Sequence, residues 1–188
     1  PAKEGGPQGI LECWVEVLTS DDAAKVPIAR MQSRKSEVYE IRLIVWETRY
    51  VPLVDGDKVD IWVSVTFDPT GRPEDEVKKR TDTHLGSKTG WGQFNWRMKF
   101  DLELPCDAPR FRVGIHDADA FSDEIVGESQ ITLKKTVHKL AKEPNLEVPK
   151  TYCSFAHPNH PGEDRGIMMF SMTILPKEEA DEDPVGEA

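Results

Sequence analysis

The chain has 188 residues, 38% of them hydrophobic, and a net charge of −10. That is enough apolar residue for one ordinary core, or one core with an attached arm, and no run approaches the roughly 18–20 apolar residues of a membrane span. The acidic balance argues against nucleic acid as the main partner and against constitutive attachment to anionic lipid.

The opening PAKEGGPQG carries no apolar stretch of a secretory signal. It reads as a tail or boundary, and the chain is expected to be a piece of a longer protein. GILECWVEVL (Gly9–Leu18) alternates as a strand does, with Leu11, Cys13, Val15 and Val17 on one face. TSDDAAKVP then offers Ser20 as a helix N-cap for one or two turns. Further strands are expected at Tyr39–Thr48, Asp60–Phe67, Lys78–Leu85, Phe94–Leu104, Arg110–Asp117, Ile125–Leu133 and Gly166–Leu175. Lys78–Leu85 is polar enough for a sheet edge. In Phe94–Leu104 the inward set is Phe94, Trp96, Met98, Phe100 and Leu102. KKTVHKLAKEP places Leu133, Val137, Leu140 and Ala141 at helical spacing, and Pro144 ends this short surface helix. HPNHPGEDRG has two histidines and two acids, but its Pro and Gly content reads as a connecting loop. The closing PKEEADEDPVGEA is expected to be a solvated, mobile acidic tail.

Short strands separated by turn residues predict an all-β fold, an antiparallel β-sandwich with little helix. Cys13, Cys106 and Cys153 are too widely spaced for a zinc site, and a disulfide framework is not expected in a domain this size. They are expected to be reduced, partly buried thiols. There is also a weak internal repeat between Gly9–Leu18 and Gly166–Leu175: each is a Gly-led strand followed by an acidic turn and a proline.

Two loops gather carboxylates. LVDGDKVDIWV carries Asp55, Asp57 and Asp60; HDADAFSDEIVGE carries Asp117, Asp119, Asp123 and Glu124. Loops at one end of a sandwich lie close in space, so these two can converge. Two like charges about 4 Å apart repel by roughly 1 kcal/mol in water and about 4 kcal/mol at an effective dielectric near 20. Calcium, which accepts six to eight oxygens in loose geometry, removes that repulsion. The twelve-residue loop of an EF-hand is absent. The alternative is that the acids only keep the surface soluble. Phe121 stands among them near the expected loop tip, with Leu53 and Val54 in the other loop. Such apolar tips fit insertion into lipid, at about 1.5–3 kcal/mol for a buried ring; the alternative for Phe121 is packing between the loops.

The frame DADAFSDEIVGE resembles the third loop of C2 domains, VDIWV resembles a first-loop segment of that family, and FNWRMKF resembles the strand that carries its core Trp. More narrowly, YEIRLIVWET, KVDIWVSV, TDTHLGSKTGWGQFNWRMKFDL and TILPKEEADEDPVG resemble a C2 domain from late in a ferlin chain, with double-C2 proteins the nearest competitor. The resemblance implies an eight-stranded sandwich of the C2 type, in the type II topology, where the C-terminal strand fills the slot contested by Gly9–Leu18. It divides the chain into an N-terminal strand and linker (1–37) from the edge of a preceding unit, the C2 domain (38–176), and an acidic linker or tail (177–188).

By the same resemblance Asp60, Asp117 and Asp119 fall at calcium-ligand positions, Asp123 and Glu124 compete for one further place, and Asp55 is the candidate for the remaining first-loop ligand. Lys78 and Arg80 on one strand, with Arg97 and Lys99 on the next predicted strand, form a face that in C2 domains often binds phosphoinositide headgroups. The function implied is calcium-dependent binding of anionic phospholipid, at the cytoplasmic face of membranes, in a tail-anchored protein of vesicle fusion, exocytosis or membrane repair. The alternative is a calcium-independent C2 domain that binds a vesicle-fusion protein or a neighbouring C2 unit. An enzyme is not expected, because the five histidines are scattered and no Ser or Cys has a recognisable base partner.

Overall fold

The computed structural model describes residues 13, 15–25, 36–54, 56–106, 108–119 and 124–188. They fall into two compact units, Pro1–Arg34 and Lys35–Ala188. In the first, α1 (Ser20–Ala23) is a single turn. Its cap is Thr19 rather than Ser20: the Thr19 hydroxyl accepts from the Asp22 N–H at 3.3 Å. Of the strand expected at Gly9–Leu18, Cys13 and residues 15–18 form no strand, and Val15 and Val17 are exposed. The remainder of that stretch lies outside the described residues.

The second unit is a two-layer antiparallel sandwich. Its elements are β1 (Glu37–Arg49), β2 (Val59–Asp68), β3 (Val77–Arg80), β4 (His84–Ser87), β5 (Gly92–Leu104), β6 (Arg110–Asp117), β7 (Glu124–Thr132), α2 (Lys134–Leu140), β8 (Leu146–Ser154), β9 (Ile167–Pro176) and α3 (Lys177–Glu182). One sheet has the order β5-β1-β9-β8; the other has β3-β2-β6-β7, with β4 also paired to β2. The alternation in β1 and β2 sends Ile41, Leu43, Val45, Ile61, Val63, Val65 and Phe67 into the core between the sheets. Phe94, Met98, Phe100 and Leu102 of β5 join them, while Trp96 is half-buried. Asn95 adopts a positive φ of 50°, and the β1–β5 register slips beside it. That bulge turns the strand and leaves Trp96 at the rim of the core.

Three expectations change. The polar edge strand breaks into β3 and β4, because Thr81 bends out to bond Val63: its N–H donates to the Val63 carbonyl, and its hydroxyl accepts from the Val63 N–H. A further strand, β8, stands where none was expected. The slot contested by the two similar segments belongs to Ile167–Pro176, and it is not an edge: β9 lies between β1 and β8. An interior slot pairs both edges of a strand, and the alternating Met168, Phe170, Met172 and Ile174 meet the core from one face.

Most residues of the acidic C-terminal stretch are exposed, but the stretch is anchored to the sandwich. It turns into α3, whose Ala180 is buried, and packs on β1 and β9. Arg42 of β1 donates to the carbonyls of Ala180 (3.2 Å) and Asp183 (2.7 Å). The helix has no basic residue in its last turn, so Arg42 supplies the positive charge that the negative end of a helix favours.

Candidate functional site

Strands β1, β4, β6 and β8 end, and β2, β5, β7 and β9 begin, at one end of the sandwich. The registers Thr48↔Gly92, Arg49↔Ile167, Val59↔Ser87 and Asp117↔Glu124 place them there. Loop 50–58 is fixed at its start, where the Val51 N–H donates to the Gly90 carbonyl at 3.1 Å. Gly90 has a φ of +69°, and a Cβ there would stand 2.1 Å from the Val51 carbonyl oxygen. Only glycine fits that approach.

The expected acids divide as follows. Asp117, the last residue of β6, is 1% exposed. Its Oδ1 accepts from the Asp60 N–H at 2.7 Å, and the Ala118 N–H donates to the Asp60 carbonyl at 2.8 Å. One buried carboxylate thus ties the base of one acidic loop to the end of the other. Asp60 Oδ1 in turn accepts from the Gly86 N–H of β4. Glu124 begins β7 opposite Asp117 and is exposed, as is Asp119. The structure therefore places Asp60, Asp117 and Glu124 at the loop ends of three neighbouring strands. Asp55, Phe121 and Asp123 lie outside the described residues. Hard carboxylate oxygens are the right donors for calcium. Among the described residues, however, no three Asp, Glu, His or Cys stand close enough to hold a metal ion.

Leu53 and Val54 are not bare tips. Both are half-buried and pack against the core cluster. Among the described residues, the exposed apolar groups at this end include Tyr50 (71%), Leu85 (73%), Trp91 (39%) and Ile125 (42%). Strand alternation leaves Leu85 outside a short strand, and Tyr50 projects from a residue with a φ of 58°. The signal in the sequence was an aromatic residue at each of two turns.

The four basic residues do not share a pair of adjacent strands. Lys78 and Arg80 are on β3 of one sheet, Arg97 and Lys99 on β5 of the other. The Arg80 guanidinium lies 4.4 Å from the centroid of the Trp62 ring. Arg97 donates to the Gly186 carbonyl at 3.3 Å, and the Lys99 N–H donates to Glu187 at 2.8 Å.

Lys78 faces a groove of about 700 Å³ on the outer face of the five-stranded sheet, with Arg112 and Glu128 on its walls. On its floor, Ser64 Oγ and His116 Nε2 are 2.8 Å apart, a Ser–His contact that the sequence did not disclose. The register Ser64↔Gly114 sets it up, since the missing side chain at Gly114 makes the room. His116 stacks on Trp62, with ring centroids 3.9 Å apart and 7° between planes. Arg80, Trp62 and His116 thus form a stack that fixes this face.

Among the described residues no helix is long and apolar enough to cross a membrane. No protein-family model matches the chain. It is 40% identical over 185 residues to Ferlin 2 of Tetrahymena thermophila, a match covering 96% of this chain and 11% of that protein. It is 31% identical over 180 residues to Ferlin 1 of Toxoplasma gondii, covering 95% of this chain and 12% of the relative. The chain thus spans about a tenth of the length of these relatives. Its fold is similar to the C2A domain of plant Extended Synaptotagmin 1, with a TM-score of 0.55 and 14% identity over 74% of this chain and 96% of that one. The ordered sandwich and this sequence identity together place the chain in the ferlin family, as a C2 domain of a ferlin-like protein.

Proposed function

We propose that this domain binds anionic phospholipid through its loop end, and that calcium switches the binding on. One observation carries the reading. A carboxylate that is 1% exposed, Asp117, is pinned by the Asp60 N–H at the point where the two acidic loops meet, and exposed Tyr50, Leu85, Trp91 and Ile125 stand at the same end. Asp60, Asp117 and Asp119, with Asp55 and either Asp123 or Glu124, are the residues to hold the ion. When bound, calcium supplies positive charge that offsets the carboxylates and attracts lipid phosphate. The chain's own part is to hold Asp117 in place before the ion arrives and to present the apolar groups. In the parent protein the module then serves membrane docking at the cytoplasmic face, in vesicle fusion, exocytosis or membrane repair.

A second reading has its own support. Leu53 and Val54 pack against the core cluster instead of standing bare for insertion into lipid, which favours a domain that acts without calcium as a surface for a neighbouring C2 unit or a fusion protein.

Calcium titration by calorimetry, with sedimentation of phosphatidylserine liposomes on the same sample, separates the two. The first reading expects heat of binding, together with sedimentation that Asp117→Asn/Asp119→Asn abolishes. Silence at millimolar calcium, with the protein left in the supernatant, removes it in favour of the second.

A further inference from the structure

The open edge of a sheet presents unpaired N–H and C=O groups that invite another strand. β5 is the outer strand of the four-stranded sheet, and part of its open edge is met by the chain's own C-terminal residues. The Ala188 N–H donates to the Arg97 carbonyl at 3.2 Å. Two positions along, the Lys99 N–H donates to the Glu187 carboxylate at 2.8 Å. Arg97 Nη1 reaches the Gly186 carbonyl at 3.3 Å. Lys79, from the edge strand β3 of the other sheet, forms an ion pair with the same Glu187 oxygen that Lys99 contacts.

What is recognised here is chemically simple. Backbone groups of β5 are bonded by a backbone N–H and a carboxylate, the Arg97 guanidinium takes a backbone carbonyl, and one carboxylate is read by an ammonium and an amide together. Lys79 holds the Glu187 carboxyl below its ordinary value against the opposing effect of burial, and the Lys99 N–H adds to the lowering. Gly186 and Ala188 add no functional side chain of their own. The requirement is therefore an extended segment with one acidic residue in register, the mode by which peptides add to sheet edges. Beside it lies a notch of about 280 Å³ lined by Ile44, Trp46, Asn95 and Arg97, which residues 186–188 border without filling. The Lys79 and Glu187 side chains are 29% and 41% exposed, so water weakens the ion pair, while α3 keeps the segment tethered nearby.

We propose that the free edge of β5, with Lys79, is a docking site for an acidic extended peptide of a partner protein, and that residues 186–188 occupy it in cis as a displaceable stand-in. The site is distinct from the loop end and does not depend on calcium.

The test uses the full chain, its Glu187→Gln variant, and a synthetic peptide of the sequence ADEDPVGEA, residues 180–188. Amide exchange at Lys99 and Ala188 is expected to quicken at least fivefold in the variant; unchanged exchange would show that the carboxylate does not hold the segment and would overturn the proposal. Fluorescence anisotropy of the labelled peptide is expected to show at least tenfold tighter binding to Glu187→Gln than to the native chain, since the tethered competitor is weakened. Adding Lys79→Met, which keeps the aliphatic stem near Phe100, should abolish that gain, as should replacing the peptide's second-last residue, Glu, with Gln. Equal binding of the two peptides, or no binding to the variant, would overturn the proposal. So would calcium-free retention of the variant, but not the native chain, on phosphatidylserine vesicles without peptide binding, which would assign the edge to a lipid surface.

Discussion

Gly114 sits where β2 and β6 run side by side, and a methyl group there would stand 2.7 Å from His116 Nε2 and 2.9 Å from Ser64 Oγ. Gly114→Ala must push the imidazole off Trp62. It is expected to cost about 1–3 kcal/mol, read as a lower urea midpoint with an unchanged slope. A second residue-scale expectation concerns acid. Burial works to raise the Asp68 carboxyl, but the Gly71 N–H at 2.6 Å and the Arg110 guanidinium outweigh it and hold the group below the ordinary carboxylate range. A carboxyl depressed on folding stabilises above its unfolded value and loses that contribution as pH falls through the folded one. Arg110 is itself about a third exposed, so Arg110→Ala is expected to cost only about 1–2 kcal/mol at neutral pH. The gap between native and variant chains should close below about pH 4, in denaturation curves taken across the acid range. Cysteine reactivity follows the same logic. Burial pushes the Cys153 thiol up to about 11, whereas Cys13 is exposed. At pH 8 a thiol reagent should label Cys13 well before Cys153, a ranking that peptide mass spectrometry reads directly.

At the scale of elements, the helix that closes the chain is held by a charge cluster that composition does not reveal. Arg42 pairs with Glu40 at 2.9 Å and Lys177 with Glu40 at 3.1 Å, and Arg42 and Glu40 are nearly buried. Arg42→Met leaves Glu40 with Lys177 as its ion-pair partner and Lys99 as a further nearby charge, and strips the donor from the Ala180 and Asp183 carbonyls. The expected cost is about 3 kcal/mol, with faster amide exchange at Asp183, whose N–H bonds the Glu179 carbonyl. The same cluster explains why the segment was read as a mobile tail. A run of acids predicts solvation, and most of these residues are exposed; what it hides is the anchor, since the outward residues of β1 and β5 gave no sign of being a receptor. Strands with strong alternation, such as β1, β2 and β5, were legible because a two-residue period leaves one face for the core. β8 was not: LEVPKTYCS contains Pro149, a residue that argues against a strand, and its pairing with β9 slips between Val148 and Thr151. The candidate site was legible in kind, as two clusters of acids flanked by apolar residues. Its geometry was not, since nothing local distinguishes the buried Asp117 from the exposed Asp119 two residues on.

For the whole molecule, a net charge of −10 makes cation binding a matter of stability as well as signalling. A ligand that binds only the folded state stabilises it by about 2.7 kcal/mol at a hundredfold excess over its Kd. On the proposed reading, calcium should raise the thermal midpoint by roughly 5–10 °C at that excess, as scaled for a domain of this size. Asp117→Asn/Asp119→Asn should show no such rise in scanning calorimetry. The order of strands has a further consequence, for synthesis rather than binding. β1 is the first strand of the sandwich to leave the ribosome, and one of its two flanks is reserved for β9, the last. At ordinary translation rates the wait is on the order of ten seconds. Throughout it, a long apolar strand keeps an unpaired edge in a crowded solution, where any other extended chain is a rival for the place. The nascent chain is therefore most in need of a chaperone just before its final strand emerges, when nearly all of the core has been made and none of it can be sealed.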